Sequence, residues 1–249
     1  MNVLRSSAIY SFFTSISRVF GFLRDILIAN FLGTGAIADI FFVAFRLPNT
    51  FRRIFSEGAL NSAFVPIYTK LIKDNLKQES KKFAGSIFLI FFITSLLLVL
   101  IIEIFMPFFI KILAPGFTDD NDKFIELVKV SRIIFPFLIL ISVASIFSSI
   151  LNSHSKFALS AALPIILNIT LIISLVIAFY ITADFLLFLS WGVIIAGLIQ
   201  IIFLTIALIK EKIYFIFSVK IYSNYIKRFT KLFTASFFSS GLLQINILI

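Results

Sequence analysis

Long apolar runs separated by short polar connectors dominate the chain. A bilayer core of about 30 Å needs roughly 20 apolar residues in a helix. Seven runs meet that length, at about 7–32, 37–67, 84–112, 128–151, 157–182, 185–209 and 228–249. The pattern therefore predicts seven membrane-crossing helices. The runs at 157–182 and 185–209 are the cleanest, since Asp184 is the single charge between Phe157 and Ile209. The run at 228–249 is still apolar at Ile249 and lacks a polar flank, so it reads as a seventh helix cut short. Arg5 ahead of the apolar stretch 8–16 imitates a secretory signal, but no small-residue cleavage site follows and Arg18 falls where the apolar region should end. An uncleaved first helix is the better reading.

Composition agrees with this solvent. Hydrophobic residues make up 60% of the chain and charged residues 14%, against about 25% charged in soluble domains. The mean hydropathy is +1.10. The fold class is an all-α polytopic membrane protein. A net charge of +10 would suggest nucleic acid in a soluble protein. Here the excess lies in connectors, where a membrane surface accounts for it and no nucleic acid is expected. With no cysteine there is neither a disulfide nor a thiolate metal site. The connector at 70–82 holds five lysines, and 210–231 holds Lys210, Lys212, Lys220, Lys227, Arg228 and Lys231. The connector at 113–126 instead holds Asp119, Asp120, Asp122 and Glu126 against Lys123. Lys/Arg excess marks the cytoplasmic side, which puts the N-terminus and both basic connectors inside and 113–126 outside. Residues 213–225 (IYFIFSVKIYSNY) read equally well as an interfacial segment or as an ordinary connector.

Two helices carry charge that an anchor does not need. The first contains RVFGFLRDILIANFLG (18–33), with Arg18, Arg24 and Asp25. A charge at the bilayer centre costs about 2.5–3.5 kcal/mol on insertion scales. At 100° per residue, Thr14, Gly21, Asp25 and Ala29 lie within about 60° of Arg18, and Ser17 and Arg24 widen that arc. Phe12, Ile16, Val19, Phe20, Leu23, Ile26 and Leu27 form the opposite, apolar arc. Two readings stand: a structural ion pair of Arg18 with Asp25, or a polar face on a water-filled cavity. The second helix, ADIFFVAFRLPNTFRRIFSEGALNSAFVP (38–66), places Asp39, Arg46, Asn49, Arg53 and Glu57 on one face, with Arg52 about 120° away. Pro48 leaves that phase open, because proline removes a backbone bond and kinks a helix. Guanidinium groups stay charged at any depth and grip phosphate bidentately. A cavity lined by Arg18, Arg24, Arg52 and Arg53 suits an anionic, phosphorylated headgroup. His154 reads as a solvated turn residue, Glu103 as interfacial and Asp184 as a turn residue. No residues form a nucleotide loop, a metal cluster or a nucleophile with its base, so neither an enzyme nor a cofactor is expected.

The stretches SRVFGFLRD and ADIFFVAFRLPNTFRRIFSEGALNSAFVP, followed by APGF (114–117), FPFLILIS (135–142) and LPIILNI (163–169), resemble the MurJ (MviN) lipid II flippase family. The resemblance implies a MATE-like fold of the multidrug/oligosaccharidyl-lipid/polysaccharide (MOP) exporter superfamily. This chain would supply its N-terminal six-helix lobe at 1–209, an inter-lobe loop at 210–227 and the start of helix seven at 228–249. It implies a bacterial inner-membrane location and passage of the undecaprenyl-diphosphate-linked peptidoglycan precursor, lipid II, to the outer leaflet by alternating access. Substrate contact would fall to Arg18, Arg24, Arg52, Arg53, Asn49 and Ser17, and a gating charge network to Asp25, Asp39 and Glu57. The partners implied are lipid II, membrane lipids and a C-terminal lobe, which a separate chain would have to supply. Family members are about twice this length, so helix seven is expected to pack poorly against the first six. The alternatives are an exporter of another polyprenyl-linked glycan and a non-transporting membrane fragment or subunit.

Overall fold

The computed structural model describes residues 3–33, 35–52, 59–217 and 224–248, with side chains at 10–33, 35–46, 48–50, 59–217 and 224–239. Among these residues all regular structure is helical. In chain order come α1 (Val3–Leu32), α2 (Ala36–Arg52), α3 (Asn61–Lys73), α4 (Lys77–Ile104), α5 (Met106–Leu113), α6 (Asn121–Ile134), α7 (Phe137–Ser153), α8 (Phe157–Ala161), α9 (Leu163–Tyr180), α10 (Phe185–Lys210) and α11 (Asn224–Leu248).

Among the described residues each apolar run is largely helix, and the third, fourth and fifth runs break within their length. The third run divides into α4 and α5 at Phe105, the fourth into α6 and α7 at Phe135–Pro136, and the fifth into α8 and α9 at Ala162. Each break adjoins a proline, with Pro107 and Pro164 in the first turns of α5 and α9 and Pro136 immediately before α7. Proline lacks the N–H that would continue the ladder, yet it fits a first turn, where that donor has no partner anyway. By contrast α2 runs on through Pro48 to Arg52. Two Asp residues cap helix starts outside the apolar runs. Asp120 accepts from the backbone N–H groups of Asp122 and Lys123 at α6, and Asp184 from those of Leu186 and Leu187 at α10. The backbone N–H of Lys123 holds the Asp120 carboxyl below the usual carboxylate range, with the Lys123 side chain adding to the effect.

Helix α7 is the centre of the bundle. Every residue from Ile141 to Leu151 is buried, and α2, α3, α4, α8 and α10 pack around it. Small residues let these helices approach closely. A Cβ on Gly192 of α10 would run into the Ser174 hydroxyl of α9, and one on Gly197 would press on Leu140 and Phe137 at 2.8 and 2.9 Å. The outer faces stay apolar: Val19 and Phe22 of α1, Ile104 of α4, Tyr180 of α9 and Ile202 of α10 are all exposed. Such surface in water would mark an aggregation site, whereas in lipid it is the natural contact. Segments Lys77–Ile104, Asn121–Ser153, Phe157–Tyr180 and Phe185–Lys210 are long and apolar enough to cross a membrane. Of the other three expected crossings, α1 carries Arg18, Arg24 and Asp25, α2 and α3 are each short, and α11 opens on Lys227, Arg228 and Lys231.

Three expectations need correction. The first half of α11 is seated rather than loose: Ile226 and Phe229 are buried, and the Phe229 ring meets Phe83 and Phe91 edge-on. The hydroxyl of Ser62 on α3 also donates to that of Ser236 at 2.8 Å. Secondly, 213–217 is not a bare connector, because it packs on α4. The Ile216 N–H donates to the Lys81 carbonyl at 3.1 Å, and the Phe215 and Phe217 rings pack on Phe88. Thirdly, His154 is half-buried, not solvated. Its ring meets Tyr68 edge-on, its Nε2 has no partner, and burial pushes the imidazole pKa down. The neighbouring Lys156 bonds Glu211 at 2.6 Å and so ties the α7–α8 turn to the end of α10.

Candidate functional site

Helix α1 lies along α8 and α9, and its inward stripe contains the half-buried Ser17, Gly21 and Arg24 and the buried Ile28. Asn168 of α9 is the hinge of this seam. It is buried, its Oδ1 accepts from Arg24 Nη1 at 2.8 Å, and its Nδ2 donates to the Ser17 carbonyl at 3.1 Å. These two bonds fix the orientation of the amide. They also grip α1 at points two turns apart, and no side chain intervenes because Gly21 stands between them.

Arg24 is only 18% exposed. Its Nε and Nη2 both donate to Asp25 Oδ1, at 2.9 and 2.6 Å. The ion pair therefore joins chain neighbours, and the sequence alternative of Arg18 with Asp25 is not the one formed. Asp25 itself is half exposed. In front of the pair opens a cavity of about 480 Å³, lined from α1 by Ser17 and Arg24, from α2 by Arg46 and Asn49, and from α9 by Leu167 and Asn168. Two arginines from different helices thus face one space that also holds hydroxyl and amide groups. Such a space can take an anion with oxygen acceptors, because guanidinium donors are charged and directional.

The structure brings Arg24, Asp25, Ser17 and Asn49 to this cavity. Arg18 is exposed and Asp39 is exposed near the start of α2, and neither lines the cavity. Asp39 in the first turn of α2 also complements the helix dipole, a structural role open to any acid there. Arg52 closes α2 with its side chain outside the described residues, and Arg53 and Glu57 lie outside them altogether. Arg46 and Asn168 line the cavity but were absent from the expected site. A signal for Asn168 was available, since an amide within the apolar run 157–182 has to find a partner inside the bundle.

A second cavity of about 260 Å³ adjoins the first, with Ser17, Pro164 and Leu167 on the wall of both. Together these features define a multi-pass membrane protein with a polar cavity inside its helix bundle. The architecture matches a solved MATE-family transporter of the MOP superfamily in an outward-facing conformation, with a TM-score of 0.74 at 11% identity, over 96% of this chain and 52% of that one. At that identity the match concerns the fold alone. The family model described as lipid II flippase MurJ matches residues 28–249. The chain belongs to the MurJ lipid II flippase family. It is 39% identical to a probable lipid II flippase MurJ of Rhizobium meliloti (strain 1021), over 100% of this chain and 47% of that protein. A solved lipid II flippase MurJ in an inward closed conformation superposes with a TM-score of 0.78 at 29% identity, over 97% of this chain and 49% of that chain. The chain thus spans about half the length of the relatives it matches.

Proposed function

We propose that this chain is the N-terminal lobe of a lipid II flippase, and that its arginine cavity holds the diphosphate of the lipid-linked precursor while the polyprenyl tail stays in the bilayer. The observation that carries this is Arg24 facing the same cavity as Arg46, its fork already engaged by a carboxylate. Asp25 stands where an anion would sit, and a phosphate arriving at the fork would displace it. The family resemblance assigns Asp25, Asp39 and Glu57 to a gating charge network, of which Asp25 lines the cavity. Arg18, Arg52 and Arg53 are assigned to the same headgroup by the family resemblance alone, and Ser17 and Asn49 add neutral contacts from the cavity wall. Residues 1–209 form the lobe, 210–227 the inter-lobe loop and 228–249 the beginning of helix seven. Transport by this fold rocks one lobe against another around a midplane site. One lobe supplies one wall of that site.

In a flippase-depleted strain, residues 1–249 alone are expected not to support growth, whereas co-expression with a second-lobe chain restores it. Growth on 1–249 alone would refute the single-wall account, and failure of both arms would count against a flippase role for this chain. The charge asymmetry between 70–82 and 113–126 supports a cytoplasmic N-terminus, and the inner-membrane location follows from the flippase reading. In a chain with no native cysteine, a cysteine at Asp120 is expected to react with an impermeant thiol reagent from outside intact cells, and one at Lys77 is not. The reverse pattern would overturn the orientation.

A further inference from the structure

The second cavity differs in chemistry from the first. Ser17, Asn61, Ser148, Asn152, Ser160 and Gln200 line it, and no charged side chain among the described residues does. Two of these lining residues, Ser148 and Gln200, each carry a buried polar atom without a partner. Gln200 is 1% exposed, its Nε2 donates to the Leu163 carbonyl at 2.7 Å, and its Oε1 is left unpaired. The bond from Nε2 fixes which end of the amide is the orphan. Ser148 is 5% exposed and its Oγ has no partner either. Orphaned buried polar groups are rare in native structures and ask for a ligand or water. Among the other lining residues, Ser160 donates to Asn152 Oδ1 at 2.8 Å, and Asn61 Oδ1 accepts from Ser149 at 2.8 Å, so those amides are held in place.

Three ligand classes fit poorly. A phosphate would find no cation here, and an acyl chain would strand the orphaned groups. A lone metal ion would find no carboxylate, in a space far larger than the ~30 Å³ that one water occupies. A neutral group rich in hydroxyls and amides matches the lining. One ligand that joins such a group to an anion would fill both spaces, because the cavity shares Ser17, Pro164 and Leu167 with the Arg24 cavity.

We propose that the cavity between Ser148 and Gln200 is a subsite for the uncharged sugar or amide portion of the lipid-linked headgroup whose diphosphate lies at Arg24. This rests on the flippase reading above. Gln200 Oε1 accepts from a sugar hydroxyl or N-acetyl N–H, and Ser148 Oγ bonds a second group of the same unit. Charge anchors the ligand at Arg24, and neutral hydrogen bonds at Ser148 and Gln200 select what is attached to it.

The test compares two probes on the full 249-residue chain in nanodiscs, undecaprenyl diphosphate and the same lipid carrying the disaccharide-pentapeptide. Ser148→Ala removes a hydroxyl that bonds nothing in the fold, and is expected to weaken the glycosylated probe roughly 2- to 10-fold while leaving the bare diphosphate unchanged. Gln200→Met is expected to act in the same direction, and if it fails to fold, Ser148→Ala alone decides. Arg24→Ala is expected to weaken both probes. Equal wild-type affinity for the two probes, an unchanged glycosylated probe in Ser148→Ala, or equal weakening of both probes by it would each overturn the subsite. Binding of neither probe by the wild-type chain would instead overturn the diphosphate site at Arg24, and the subsite with it.

Discussion

Arg24→Ala, introduced into a flippase that carries both lobes, is expected to abolish complementation of flippase loss without lowering the amount of protein. Charge-assisted hydrogen bonds contribute about 1.5–3 kcal/mol each, so losing one phosphate contact weakens binding roughly 10- to 150-fold. Two further losses accompany it. Asp25 is left without its cation, and the buried Asn168 Oδ1 loses the donor at 2.8 Å. An unpaired buried acceptor costs about 1–3 kcal/mol, so the seam between α1 and α9 also loosens. Arg24→Lys separates the two effects. A lysine keeps the charge but cannot hold Asp25, Asn168 and a phosphate through one planar fork, so partial rescue is expected. A growth assay with immunoblotting reads both outcomes, and full activity of Arg24→Ala would remove Arg24 from the headgroup site. Asn168→Leu serves as the companion variant. It breaks the seam while sparing the charge, and is expected to lower the thermal stability of the protein more than Arg24→Lys does.

Gly85→Ala is expected to unseat the segment 213–217 from α4. In most helix interiors this substitution stabilises by about 0.8–1.0 kcal/mol, because glycine is the more flexible residue. Here the new Cβ would lie on the carbonyl of Ile216 and within 3.0 Å of the Phe217 Cα. The obstacle is backbone, which cannot rotate away as a side chain would. Overpacking of this kind costs about 1–3 kcal/mol, more than the helix gains. The segment must therefore lift, breaking the bond from the Ile216 N–H to Lys81 and withdrawing Phe215 and Phe217 from Phe88. Hydrogen exchange read by mass spectrometry is expected to show the Ile216 amide losing its protection while α7 keeps its own. Gly116→Ala, where an added Cβ meets nothing within 4 Å, is the control. Unchanged protection at Ile216 in Gly85→Ala would show that the strap is not held by this contact.

The sequence by itself determined that the chain is a helical membrane protein and roughly where its apolar segments lie, though not where they break, because the length and polarity of a run are local properties. The cost of charge in lipid also marked Arg18, Arg24 and Asp25 as residues needing a reason. It could not set the rotation of α1. That helix is apolar around most of its circumference, so a wheel centred on Arg18 fits the pattern about as well as one centred on Ser17 and Arg24. The tertiary structure decided the matter through Asn168, a residue 144 positions away whose two bonds turn Arg24 toward the cavity and leave Arg18 exposed. Pairing was decided in the same way. Once α1 is docked, the fork of Arg24 meets Asp25 next to it, whatever the periodicity suggests for Arg18. His154 and the segment 213–217 look polar or irregular in sequence, and only their packing on Tyr68 and α4 makes them part of the bundle. Hydropathy records what each residue prefers as solvent. Which neighbour replaces that solvent depends on helices brought together from distant parts of the chain, and no local pattern carries that information.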